Sequence, residues 1–217
     1  MAYTWFLLFS CSIFIAAIIG WVRFRRIAPA FRPFLYCIWI GSVNEILSIT
    51  LPLAGYKIDL NNNIYVLLES GLILWQIRQW GGFGSWHRLF PLLLASFGIV
   101  WIIEDFIISS ITWTGSYFRL YYSFIIVILA IQVNNRLIIS ERGVLLRNAT
   151  FLVCTGFIIY FTYKVLIEIF WLYGLNSSPG FLVNVYSILI WINLLANIIY
   201  SFAILWMPAK QRFIMPY

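Results

Sequence analysis

Residues 63–77 read NIYVLLESGLILWQI. The run is apolar enough for lipid, yet its first half holds a carboxylate, Glu69. How that acid is accommodated decides the fold. A charge near the centre of a spanning helix costs ~2.5–3.5 kcal/mol on insertion scales, so such a residue faces a bundle interior or a wet cavity. Tyr65 precedes Glu69 by one helical turn on the same face, placed to share a hydrogen-bond network with it. The stretch thus implies partner helices.

The remainder of the chain supplies them. Its 217 residues are 63% hydrophobic, 20% aromatic and 10% charged, with mean hydropathy +0.94. A soluble domain of this length cannot hide so much apolar surface. About 20 residues carry a helix across the hydrocarbon, and seven segments qualify: 2–21, 34–53, 64–80, 89–109, 117–134, 149–172 and 181–206. The expected fold is all-α: one polytopic domain over 1–217 with seven transmembrane helices. The N-terminal segment lacks a basic start and is followed by arginines, so it reads as a first span and not a cleaved signal.

Charge sets the orientation. Eleven of the fourteen basic residues fall on one side, in the loops around Arg23–Arg32, Arg78–Arg88 and Arg136–Arg147 and in the tail with Lys210 and Arg212. Lys57 and Arg119 fall on the other side and Lys164 within a span. Basic loops stay cytoplasmic, so the N-terminus is expected outside, the C-terminus inside, and the chain in the cytoplasmic (inner) membrane as a multi-pass protein. The net charge of +7 then reads as a topology signal and a surface for anionic lipid headgroups, with no basic domain to hold nucleic acid. Trp21, Trp80, Trp86, Trp113, Tyr117, Trp171, Tyr173 and Trp206 fall near the interfaces, where amphipathic rings settle. Cys11, Cys37 and Cys154 lie in apolar segments, an odd number that argues against a disulfide framework or a cysteine metal site.

With this orientation the polar residues of the spans gather in the outer half. Asn44 and Glu45 come near the midplane of the second span, and Glu69 about 8 Å down the third at the helical rise. Lys164 and Glu168 lie one turn apart on the sixth, as an ion pair or as site residues. Glu104, Asp105 and Glu168 have a second reading, snorkelling to the outer headgroups. Asn184 and Tyr186 open the seventh span, with Asn193 and Asn197 deeper. Asn44, Glu45, Tyr65, Glu69, Lys164, Glu168, Asn184 and Tyr186 are the expected ligand-binding residues, around one cavity opening outward.

The seventh span opens NVYSILI (184–190) where the third opens NIYVLLE (63–69), and LYC (35–37) has a counterpart in LVC (152–154). The match suggests a parallel repeat of three plus one plus three helices, with halves 1–81 and 116–206. Repeat interfaces are common transport sites. In topology alone the chain resembles the broad seven-helix group of sugar carriers, rhodopsins and G-protein-coupled receptors. It departs from each. The seven prolines fall mostly in loops and helix ends, and no lysine lies in 181–206 for a retinal Schiff base. The NIYVLLE opening, with a Glu in the preceding helix, also resembles uncharacterised seven-helix bacterial membrane proteins, a similarity of two helices that implies no activity.

Enzymatic readings find little support. A zinc hydrolase needs several His ligands, and this chain has one His, His87. Ser85 and His87 in GGFGSWHR (81–88) lie in a short turn without the rest of a hydrolase constellation. Glu45 and Glu69 leave a carboxylate-based lipid reaction open. No catalytic set, metal site or cofactor is expected. The function expected is binding or sensing of a small extracytoplasmic or lipid-like molecule, with membrane lipids as neighbours and a cytoplasmic or membrane protein partner on the basic loops. The alternatives are a small proton-coupled transporter and an accessory membrane subunit of a larger complex.

Overall fold

The computed structural model describes residues 9, 11–84, 86, 88–111, 115–140, 144–173 and 179–209, with backbone only at 179–180, 182–184 and 186. The described residues form seven α-helices and no β-strand: α1 Ile13–Arg23, α2 Arg32–Leu53, α3 Asp59–Gln79, α4 Leu89–Ile102, α5 Tyr117–Ser140, α6 Ala149–Leu172 and α7 Pro179–Trp206. The expected pair Ser85 and His87 lies outside the described residues, as does the expected first span before residue 9.

Five helical segments are long and apolar enough to cross a membrane: Pro29–Leu53, Leu89–Ile108, Tyr117–Ser140, Ala149–Leu172 and Ser187–Trp206. Helix α1 is apolar but short over its described length. Helix α3 is diluted by its own polar residues, and these are turned inward: Asn63, Glu69, Ser70 and Gln76 are all buried. The outer surface of the bundle is apolar, with Ile18, Leu92, Ile107, Phe124, Ile139 and Trp191 among its exposed side chains. An apolar outer surface, with polar side chains of the helices turned into the bundle, suits a lipid surround.

The helices close into a ring. Neighbours in sequence pack together along α1–α2–α3 and α5–α6–α7, and α3 meets α5 while α1 meets α7. Helix α4 packs against α3 and α5, burying only Phe97 among its α-helical residues. Close approach of α6 and α7 depends on Gly156, where an added Cβ would lie 2.3 Å from the Tyr200 ring.

Helix ends are satisfied by side chains from elsewhere in the chain, as orphan backbone groups in an apolar setting require. Gln76, fully buried, accepts from Phe34 N–H at 2.8 Å and donates to Ala30 C=O at 2.6 Å, tying the start of α2 to the end of α3. Asn148 caps α6 by accepting from Phe151 N–H at 3.1 Å. Arg23 donates to the Ile204 and Leu205 carbonyls in the last turn of α7 and to Met207 C=O just beyond it. Helix α3 ends before Gly81, whose φ of +69° is the left-handed conformation glycine supplies after a helix.

Candidate functional site: a buried ion pair beside a central cavity

Helix α3 carries Tyr65 and Glu69 on one face, and the Tyr65 hydroxyl donates to Glu69 Oε1 at 2.8 Å. The second oxygen, Oε2, accepts from the Tyr122 hydroxyl of α5 at 2.7 Å and from Lys164 Nζ of α6 at 3.3 Å. Lys164 also donates to the Tyr122 hydroxyl. The ammonium stands over the rings of Tyr122, Tyr160 and Phe161, at 5.0, 5.6 and 5.5 Å from their centroids. Three helices thus meet at one carboxylate. Lys164 supplies the opposite charge that makes its burial tolerable, and two phenols satisfy its remaining lone pairs.

The spacing of Lys164 and Glu168 suggested a pair along α6. Lys164 instead spans the bundle to Glu69. Glu168 is buried and hydrogen-bonded to Ser116, with Arg119 and Lys164 as its cationic neighbours. The ring arrangement, which sets α6 across the bundle interior from α3, decides the partner; sequence spacing does not.

Glu69 also borders a cavity of about 60 Å³ at the centre of the ring. Its polar wall consists of Tyr65, Glu69, Tyr160, Asn193, Asn197 and Tyr200, and its apolar wall includes Phe34, Cys37 and Phe157. Asn197 donates to Ser12 Oγ at 2.8 Å and lies 3.4 Å from Asn193 Oδ1. No hydrogen bond from a described residue reaches the Tyr160 or Tyr200 hydroxyl. Tyr122, Tyr160 and Tyr200 were not legible as site residues. Their only signal is a helical interval: Tyr160 lies four before Lys164, and Tyr200 three after Asn197.

A second polar cluster lies toward the expected outer end. Asn63 donates to Asp105 Oδ1 at 3.1 Å and to Ile111 C=O at 3.0 Å, and its Oδ1 accepts from Arg119 at 3.4 Å. Glu104 accepts from the backbone N–H groups of Tyr117 and Phe118 at 2.8 and 2.5 Å. It thereby caps α5 with negative charge at the positive end of the helix dipole. A π-helical turn, Ile103–Ile108, presents both acids inward. Glu104, Asp105 and Glu168 are all buried, so none reaches outward in the manner of a snorkelling side chain.

The other expected site residues are dispersed. Asn44 accepts from Asn61 at 2.7 Å and lines a separate hollow of about 280 Å³ between α2 and α3, which Tyr65 also borders. Glu45 is half-buried on α2, electrostatically within reach of Tyr160 in the cavity wall but outside the cavity lining. The side chains of Asn184 and Tyr186 lie outside the described residues. No group of three or more His, Cys, Asp or Glu side chains able to hold a metal occurs among the described residues. No family model, curated protein or solved structure matches the chain.

Proposed function

We propose that the protein is a multi-pass membrane protein that binds a small polar solute in the cavity beside Glu69. The observation that carries this reading is the cavity wall. It sets a carboxylate, three phenols and two carboxamides around one void. Protein interiors are close-packed, and ionisable groups within apolar spans are expensive and tend to mark functional sites. Two of the phenol hydroxyls, those of Tyr160 and Tyr200, take no bond from a described residue and so are available to a solute. A volume of about 60 Å³ matches a solute of a few non-hydrogen atoms. It lies far below the ~300 Å³ of a drug-sized pocket.

The full topology belongs to the same proposal. Helices α1 and α3 share the ring with four of the five long apolar helices, and the fifth, α4, packs against α3 and α5, supporting seven spans in the cytoplasmic membrane. The arginine asymmetry supports an outer N-terminus and an inner C-terminus. A reporter fused after Tyr217 is expected to be active only in the cytoplasm; activity on the opposite side would overturn the orientation.

One observation favours transport as a second reading. Buried polar groups continue past the cavity toward the inner end, at Gln76, Asn134 and Ser201, whereas a receptor pocket needs polarity on one side only. The ring also keeps its neighbour pattern when α1–α3 are exchanged with α5–α7, as a parallel repeat would require.

Cys37 provides the test, since its thiol borders the cavity. In full-length protein with Cys11→Ser and Cys154→Ser, methyl methanethiosulfonate should modify Cys37 in intact membranes. Modification only after denaturation would show that small solutes do not reach the cavity, and would sink the reading.

A further inference from the structure

Lys164 occupies a recognisable kind of site. Its ammonium contacts one carboxylate, one phenol oxygen and three aromatic faces. A carboxylate framed by aromatic rings holds a desolvated ammonium by charge and by the ring quadrupoles together. Glu69 borders the cavity and Lys164 does not. The carboxylate therefore has a tethered cation as one neighbour and the void as another. The cavity repeats the chemistry of the lysine's own niche, with the rings of Phe34, Phe157 and Tyr200 and the free hydroxyls of Tyr160 and Tyr200.

We infer that the cavity takes a small protonated amine, whose ammonium competes with Lys164 for Glu69. The inference rests on the solute-binding reading above and names the chemical class. Charge balance requires the competition. Glu69 and Lys164 neutralise each other, so a second monovalent cation leaves one buried positive charge in excess unless Lys164 withdraws. Glu168 gives it a destination. It is buried one turn along α6 and already has Lys164 among its cationic neighbours. The ligand ammonium bonds to Glu69 as Lys164 passes to Glu168, so that two ammoniums face two carboxylates where one ammonium faced two before, and neither cation is left without a counter-charge. No cationic side chain lines the cavity among the described residues, so an anion finds no counter-charge there.

The test uses full-length protein carrying Cys11→Ser and Cys154→Ser, with methylammonium chloride as probe and sodium chloride at equal ionic strength as comparator. Methylammonium should slow Cys37 modification saturably, and sodium should not. In Lys164→Met the half-protecting concentration should fall about tenfold or more, because a tethered competitor at high effective concentration has been removed. Glu69→Gln should abolish protection. Lys164→Met strips Glu69 of its counter-ion, so the charge-neutral combination with Glu69→Gln serves as the folding control and should be unprotected. If Lys164→Met does not fold, the wild-type comparison of methylammonium with sodium and the Glu69→Gln result decide the matter. Equal protection by sodium, protection retained in Glu69→Gln, or an unchanged half-protecting concentration in folded Lys164→Met overturns the inference. In each of those cases Cys37 still reacts and the cavity reading stands. Failure of Cys37 to react at all overturns the cavity reading itself.

Discussion

The Glu69 carboxylate on α3 and the Lys164 ammonium on α6 lie 3.3 Å apart across 95 positions of sequence, both largely enclosed. Removing one partner of a buried pair leaves a lone buried charge, at a cost of about 3–5 kcal/mol. Lys164→Ala should therefore destabilise the bundle by that order, and Lys164→Ala with Glu69→Gln by clearly less. Unfolding in mixed micelles measures both. A strictly additive double-mutant cycle would show that the two side chains do not share their energy.

Gln76 makes a different kind of link, between the backbone at the start of one helix and the end of its neighbour. Gln76→Leu keeps the volume but leaves Phe34 N–H and Ala30 C=O without the partners seen here. A loss of about 1–3 kcal/mol is expected for orphaned buried groups. Amide exchange at residue 34 should accelerate more than exchange in the middle of α2. Equal acceleration along the whole helix would assign the effect to general loosening.

Two glycines should respond oppositely to the same change. At Gly156 an alanine Cβ meets the Tyr200 ring at 2.3 Å, whereas at Gly98 it meets nothing within 4 Å. Gly156→Ala should cost about 1–3 kcal/mol through overpacking. Gly98→Ala should be neutral or stabilising by up to about 1 kcal/mol, the helix-propensity difference. Trimming the opposing ring, as Tyr200→Leu in the Gly156→Ala background, should recover part of the loss. Thermal melts of the four proteins check the set.

Glu104 joins the π-helical turn to the first turn of α5 through two backbone N–H groups. Glu104→Gln keeps one acceptor oxygen, sets an amide NH2 against the other backbone N–H and removes the charge that the helix terminus favours, so a loss of about 1–3 kcal/mol is expected. Amide exchange at Tyr117 and Phe118 should rise first. Unaltered exchange there would mean that the carboxylate contributes nothing to the cap.

The comparison of sequence with structure follows from which interactions are local. The bond from Tyr65 to Glu69 was legible because it spans one helical turn of a single segment. Helix extents were legible where polar or turn residues bound an apolar run, as in α6, set between Arg147–Asn148 and Gly174, expected over 149–172 and found as Ala149–Leu172. They were misjudged where polar residues inside a helix resemble a loop. Helix α3 begins at Asp59, ahead of the expected residue 64, because Asn61 and Asn63 bond to Asn44 and Asp105. Helix α5 continues to Ser140, beyond the expected residue 134, because Asn134 bonds to Thr155 on the adjacent helix. The choice of Glu69 by Lys164, and the gathering of Tyr160, Asn193 and Tyr200 around one void, depend on which helix faces which. Hydrophobic periodicity carries no such information in a bundle whose outer faces are as apolar as its core.

The grip of Arg23 on the end of α7 has a consequence for the order in which the molecule is made. The two ends of that contact are 181 to 184 positions apart, nearly the full length of the chain. A polypeptide emerges from its amino end, so α1 is complete long before its partner exists. Until α7 arrives, the face of α1 around Ala16 and Gly20, buried in the finished ring, has no covering helix from α7. Closure of the ring therefore waits until α7 has been made. Non-local contacts of this span are also the slowest to form, because the whole intervening chain must be ordered before they are gained. Chains truncated ahead of α7 should accordingly persist as open, protease-sensitive bundles, and the intact chain should acquire resistance in a single late step.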